Sequence, residues 1–159
     1  MVIFLLSHSS AISAEPLSQY QNYDEAYTFI SEKVNEGDQW HRYRSTLIPL
    51  VPDRICFGWA MHLADPSKLV TVRETLSVEA RPQEWRHEHE TRVAADGKSA
   101  VTEFNATPIG GWIGHQWCIL EGDPAGYYIF DIEIDRRPAK KLRMCAEPPD
   151  QQTCTRYTS

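Results

Sequence analysis

Tyr127 to Ile134, in the last third of the chain, reads Tyr-Tyr-Ile-Phe-Asp-Ile-Glu-Ile and restricts the fold more than any other stretch. Tyr128, Phe130, Ile132 and Ile134 fall on one side of an extended backbone, and Tyr127, Ile129, Asp131 and Glu133 on the other. A period of two carried by aromatic and β-branched residues is the pattern of a strand with one buried face. Gly122-Asp-Pro-Ala-Gly126 leads into it, with one residue of fixed φ and one that tolerates positive φ. Asp135-Arg-Arg-Pro138 turns the chain, and Ala139 to Cys145 can return alongside. Upstream, Trp112 to Leu120 is apolar on both faces apart from His115 and Gln116, as expected of a central strand covered on each side.

Five more strands are predicted, at Arg42 to Ile48, Arg54 to Leu63, Leu69 to Val78, His87 to Ala95 and Lys98 to Ala106. Pro49, Pro52, Asp65-Pro66, Pro82, Asp96-Gly97 and Pro108 with Gly110-Gly111 punctuate them, and Asp96-Gly97 signals a tight hairpin. One helix is predicted over Asn22 to Glu36, with Asn22 as N-cap, Glu25 three positions on, Gly37 as the stop, and Ala26, Phe29, Ile30 and Val34 as an apolar stripe. Eight strands and one short helix, without alternation of long helices and strands, argue for a mainly β sandwich or barrel.

The Pro-x-Gly-x-Tyr corner of Pro124, Gly126 and Tyr128, feeding an alternating strand and a turn led by Asp135, resembles the closing hairpin of secreted bacterial immunoglobulin-like β-sandwich proteins, whose function is not established. Thr46-Leu-Ile-Pro and Ile55-Cys-Phe-Gly-Trp extend the resemblance over the last two thirds of the chain. It implies an immunoglobulin-like antiparallel β-sandwich and an extracytoplasmic compartment. Those proteins favour Gly after the Asp. Arg136 stands there, so the expected turn is wider than a two-residue type I′ turn.

The first fourteen residues, MVIFLLSHSSAISA, resemble a secretory signal peptide that lacks its positively charged start, with a buried N-terminal strand as the alternative. The expectation is a translation start further upstream. Residues 15–41 form a polar tether and the helix, 42–146 the sandwich, and 147–159 an irregular tail. Sixteen Lys and Arg against 22 Asp and Glu give a net charge of −6 with no basic cluster, which argues against nucleic acid as a partner. No apolar window reaches the ~18 residues a membrane-spanning helix needs.

Four cysteines in an exported chain predict two disulfides, for which three connectivities exist. Cys145 with Cys154 would tie the tail to the last strand, and Cys56 with Cys118 would join across the core; buried free thiols are the plain alternative. His87 and His89 share one face of a strand at a spacing that suits a metal ion, if His62, His115 or a carboxylate completes the set. Alternating charge around them equally suits an exposed sheet edge, and no other cofactor is signalled. No Gly-x-Ser-x-Gly elbow is present, and Glu74 and Glu79 read as members of solvated faces. Of the tryptophans, Trp59 and Trp117 sit in apolar strands and read as core, whereas Trp40 and Trp85 lie in polar contexts where an indole can stack on a sugar or anchor a partner. The leading reading is therefore an exported, periplasmic or secreted, non-enzymatic domain that binds another protein or a cell-surface ligand. A carbohydrate-binding module using Trp40 or Trp85, and a metal-binding protein or metalloenzyme using His87 and His89, stand beside it.

Overall fold

The computed structural model describes residues 25–34, 39–86 and 90–154, and within them ten strands. These are β1 (Ala26–Val34), β2 (Gln39–Arg44), β3 (Leu47–Pro49), β4 (Ile55–His62), β5 (Val70–Val78), β6 (Glu90–Val93), β7 (Ser99–Ala106), β8 (Trp112–Cys118), β9 (Gly126–Ile134) and β10 (Arg137–Glu147). They form a four-stranded sheet, β2-β1-β4-β8, and a six-stranded sheet, β3-β10-β9-β5-β7-β6. All pairings are antiparallel except β3 with β10.

The alternation in β9 is realised as read: Tyr128, Phe130, Ile132 and Ile134 are buried in the core. On the neighbouring β5, Val70, Val72, Leu76 and Val78 point the same way. The opposite layer contributes Ile30, Phe57, Trp59, Met61, Ile113 and Trp117. Phe57 meets Tyr128 edge to face at 5.3 Å, which locks the two layers together at one end. At the start of β9 the Tyr128 hydroxyl donates to the Pro124 carbonyl at 2.9 Å, the tyrosine corner of immunoglobulin-type sandwiches. Burial, with the nearby Asp123, raises the pKa of that phenol, so it stays a donor at any ordinary pH.

Four expectations are corrected. Residues 26–34 of the predicted helix are strand β1, hydrogen-bonded to β2 and β4; its capping residue Asn22 lies outside the described residues. The stripe Ala26, Phe29, Ile30, Val34 matched a helical spacing because β1 is covered on both sides: Thr28 and Ile30 face the core while Phe29 lies under Arg42. Second, the predicted strand Arg42 to Ile48 is two strands in different sheets, and Ser45-Thr46 carries the chain between them. Third, Ile134 pairs with Arg137 across a two-residue turn, with Asp135 at φ 50° and Arg136 at φ 65°. Arg136 accepts the left-handed conformation because Asp135 is clamped: its carboxylate accepts the Thr71 N–H at 3.0 Å and Lys68 Nζ at 3.1 Å.

The fourth concerns sulfur. Both disulfides form, Cys56–Cys118 and Cys145–Cys154. Cys145–Cys154 ties the irregular segment after β10 to the sheet, as expected. Cys56–Cys118 does not cross the core. Its two residues are directly opposite one another on the adjacent strands β4 and β8, with Cα atoms 3.8 Å apart, and share the face turned away from the second sheet. The usual immunoglobulin bridge joins the two sheets; here it staples one of them.

Candidate functional site

Because Phe57, Trp59, Trp117 and Ile113 point inward, the alternate residues of β4 and β8 must point outward. Those residues are small: Gly58 and Ala60 on β4, and Gly114 on β8, where Ala60 stands opposite Gly114 and Gly58 opposite Gln116. Gly58 and Gly114 admit no side chain, since a Cβ on either would run into the main-chain carbonyl of His115 or Trp59 on the neighbouring strand. Ala60 and Gly114 are the floor of a cup of about 430 Å³ on the outer face of the four-stranded sheet.

Two crossbars close the cup. At one end Arg42 of β2 lies over the Phe29 ring, 4.2 Å from its centroid, donates from Nε to Ser31 Oγ at 3.2 Å, and donates from Nη2 to Gln116 Oε1 at 3.0 Å. The guanidinium thus links β2 to β8 across the outer face of the sheet. At the other end Tyr27 and Trp112 meet edge to face at 5.4 Å, and His62 packs against Trp112 at 5.2 Å. Arg44 covers Tyr27 at 4.1 Å. Ile109, 86% exposed, forms the outer lip and is held by paired main-chain bonds with Trp112.

The floor is braced from beneath. Trp59 and His115 are a register pair flanking Ala60 and Gly114, and their side chains enter the core and converge on Glu74 of β5. Glu74 is 0% exposed. Trp59 Nε1 donates to its Oε2 at 2.5 Å, Trp117 Nε1 to its Oε1 at 2.6 Å, and His115 Nδ1 lies 3.0 Å from Oε2. Indole N–H groups can only donate, so both carboxyl oxygens accept, and His115 Nδ1 makes the third contact at Oε2. Glu74 is therefore not on a solvated face, as its sequence context suggested; it ties β5 to β4 and β8 directly under the cup. Among the described residues no buried polar side-chain atom lacks a partner.

The residues singled out from sequence fall elsewhere. Trp40 is 44% exposed on β2, on the same face as Arg42 and Arg44 but beyond the cup, opposite Lys33. Trp85 is half-buried, with its indole N–H donated to the Gly97 carbonyl at 3.0 Å and its ring edge-on to Trp117 at 5.7 Å, so it covers the open side of the core. His87 and His89 lie outside the described residues. His62 and His115, which were to complete their metal site, are on opposite faces of the four-stranded sheet, and among the described residues no three His, Cys, Asp or Glu are grouped to hold a metal ion. The cup residues Tyr27, Phe29, Arg42, Trp112 and Gln116 were missed. The signal was there in Tyr27 and Phe29 at a spacing of two and in the small residues of β4 and β8, but the helical reading of β1 concealed it.

Residues 26–146, from the first residue of β1 almost to the end of β10, match a family described as the PM0630 beta sandwich domain. The chain belongs to that family. No curated protein sequence matches the chain significantly. Among solved structures, this family member is similar to an immunoglobulin-like protein (PA1606) from Pseudomonas aeruginosa, at 11% identity and a TM-score of 0.42 over 79% of this chain and 99% of that one. It is also similar to the alkylpurine DNA glycosylase AlkC of Pseudomonas fluorescens, solved bound to DNA containing an abasic site analog, at 12% identity and a TM-score of 0.35 over 64% of this chain and 27% of that one. Among the described residues of this PM0630-type sandwich, no helix is long and apolar enough to cross a membrane.

Proposed function

We propose that this domain is an exported, periplasmic or secreted, non-enzymatic binding module that takes a cell-surface ligand into the cup on its four-stranded sheet. The observation that carries the reading is the cup itself: concave, built on strands rather than loops, floored by residues that cannot fill it, and held rigid by Glu74 from below. Preorganised walls lower the cost of ordering on binding. Two disulfides support an oxidising compartment, and the resemblance of the N-terminal segment to a signal peptide supports export.

The test uses envelope fractions of the native host over immobilised protein. A component retained by wild type and by Trp40→Ala, but lost with Ala60→Leu, is the expected result, because a leucine fills the floor and leaves the core untouched. Retention that survives Ala60→Leu removes the cup. Recovery of the protein from the cytoplasm with four alkylatable thiols removes export.

A further inference from the structure

Building on the cup as binding site, we infer that its ligand is anionic: a single uronic acid residue, a pyranose carrying a carboxylate, as found in acidic surface polysaccharides. The argument starts from charge. The protein is net negative, yet the Arg42 guanidinium lines the cup and that of Arg44 lies beside it on the Tyr27 ring, and among the described residues neither has a carboxylate partner. Other exposed arginines are ion-paired, Arg54 with Glu32 on the same sheet and Arg73 and Arg92 with Glu103 on the other, while Arg143 of β10 stacks on Tyr127 far from the cup. Arg42 and Arg44 stand two positions apart on β2, so both project from one face, each stacked on an aromatic ring. Stacking holds a guanidinium flat; with Nε and Nη2 of Arg42 donating to Ser31 and Gln116, its Nη1 side is the one turned to an anion, and the stacked Arg44 beside it can supply a second charge-assisted bond to a carboxylate.

The rest of the cup selects what carries the anion. From the Gln116 row to the Trp112 row is four residues of strand, about 13 Å at ~3.3 Å per residue, and side chains close both ends. An extended peptide needs a path through; a single ring does not. Gln116 accepts from Arg42 through Oε1, which turns its amide N–H groups to a ring hydroxyl, while Trp112 and Ile109 offer apolar surface to the C–H face of a sugar. Trp40 and Trp85 take no part.

Titration of the full isotope-labelled chain with D-glucuronate and D-galacturonate, followed by amide shifts, tests this. The expected result is saturable shifts at β2, β4 and β8, absent with glucose and galactose, and affinity reduced about tenfold or more in Arg42→Gln and in Arg44→Gln, as for loss of a hydrogen bond to a charged group. Arg42→Lys, which keeps the charge but loses the planar fork, is expected to weaken binding as well. Far-ultraviolet circular dichroism and the thermal midpoint of each variant separate lost binding from lost fold. Equal binding of inorganic phosphate or of a poly-Asp peptide would overturn the uronate assignment, as would no shift with either uronate. If uronates fail while an envelope component is still lost on Ala60→Leu, the cup stands and only its ligand class is wrong; if Ala60→Leu changes neither, both readings fall.

Discussion

Replacing Glu74 by Gln changes few atoms and removes one acceptor. Two indole N–H groups and the His115 imidazole converge on the two carboxylate oxygens in a fully buried site. An amide has one oxygen. Placed where Oε2 now sits, it satisfies Trp59, and its NH₂ then faces the Trp117 N–H, donor against donor. A buried donor left without a partner costs ~1–3 kcal/mol, and hydrogen bonds to a charged acceptor are worth more than those to a neutral one, so the substitution should cost about 2–4 kcal/mol. Glu74→Ala strands both indoles and opens a void, at roughly 4–6 kcal/mol, a large part of the ~5–15 kcal/mol that holds a domain together. The Gln variant is therefore the informative one. Urea unfolding measured in wild type and in a Trp117→Phe background isolates the conflict, since phenylalanine has no N–H to oppose the amide. The cost of Glu74→Gln should fall below about 1 kcal/mol in that background. A loss under ~0.5 kcal/mol in wild type, or equal losses in both backgrounds, refutes the donor-convergence argument.

Three further outcomes are expected. Cys56–Cys118 closes 62 residues and Cys145–Cys154 only 9, so by chain entropy paired Cys→Ala replacement should cost about 4 kcal/mol for the first and about 2.5 kcal/mol for the second; a reversed order of urea midpoints would contradict this. Tyr128→Phe should lose about 1 kcal/mol, with the Pro124 carbonyl left unpaired at the corner, and an unchanged midpoint would show that the hydroxyl is idle. The Thr71 N–H, aided by Lys68, holds Asp135 below the usual carboxylate range. The folded state thus prefers the ionised form, and this stabilisation is complete above the unfolded value of ~3.9 and fades as pH falls through the lower folded value. Asp135→Asn should flatten the stability profile below about pH 4, whereas superimposable acid limbs would rule the clamp out.

Period-two alternation in β5 and β9, turn chemistry at Gly122 to Gly126 and Asp96-Gly97, and an even number of cysteines were sufficient to read an antiparallel sandwich with two disulfides from the chain alone. Local pattern suffices there because each of those strands has one wet face and one dry face. It failed at β1, where Arg42 covers the outer face as completely as the core covers the inner one, so no alternation of burial reaches the sequence. It failed at Glu74 as well, since a carboxylate in an alternating strand looks solvated until two tryptophans from another sheet are known to point at it. The cup was illegible for the same reason. Its floor comes from β4 and β8, its crossbars from β1, β2 and β8, and only the register that sets Ala60 beside Gly114 and Gly58 beside Gln116 makes a hollow of residues lying tens of positions apart. Sequence determines which faces are apolar; pairing register, a property of the folded sheets, decides which side chains share a site.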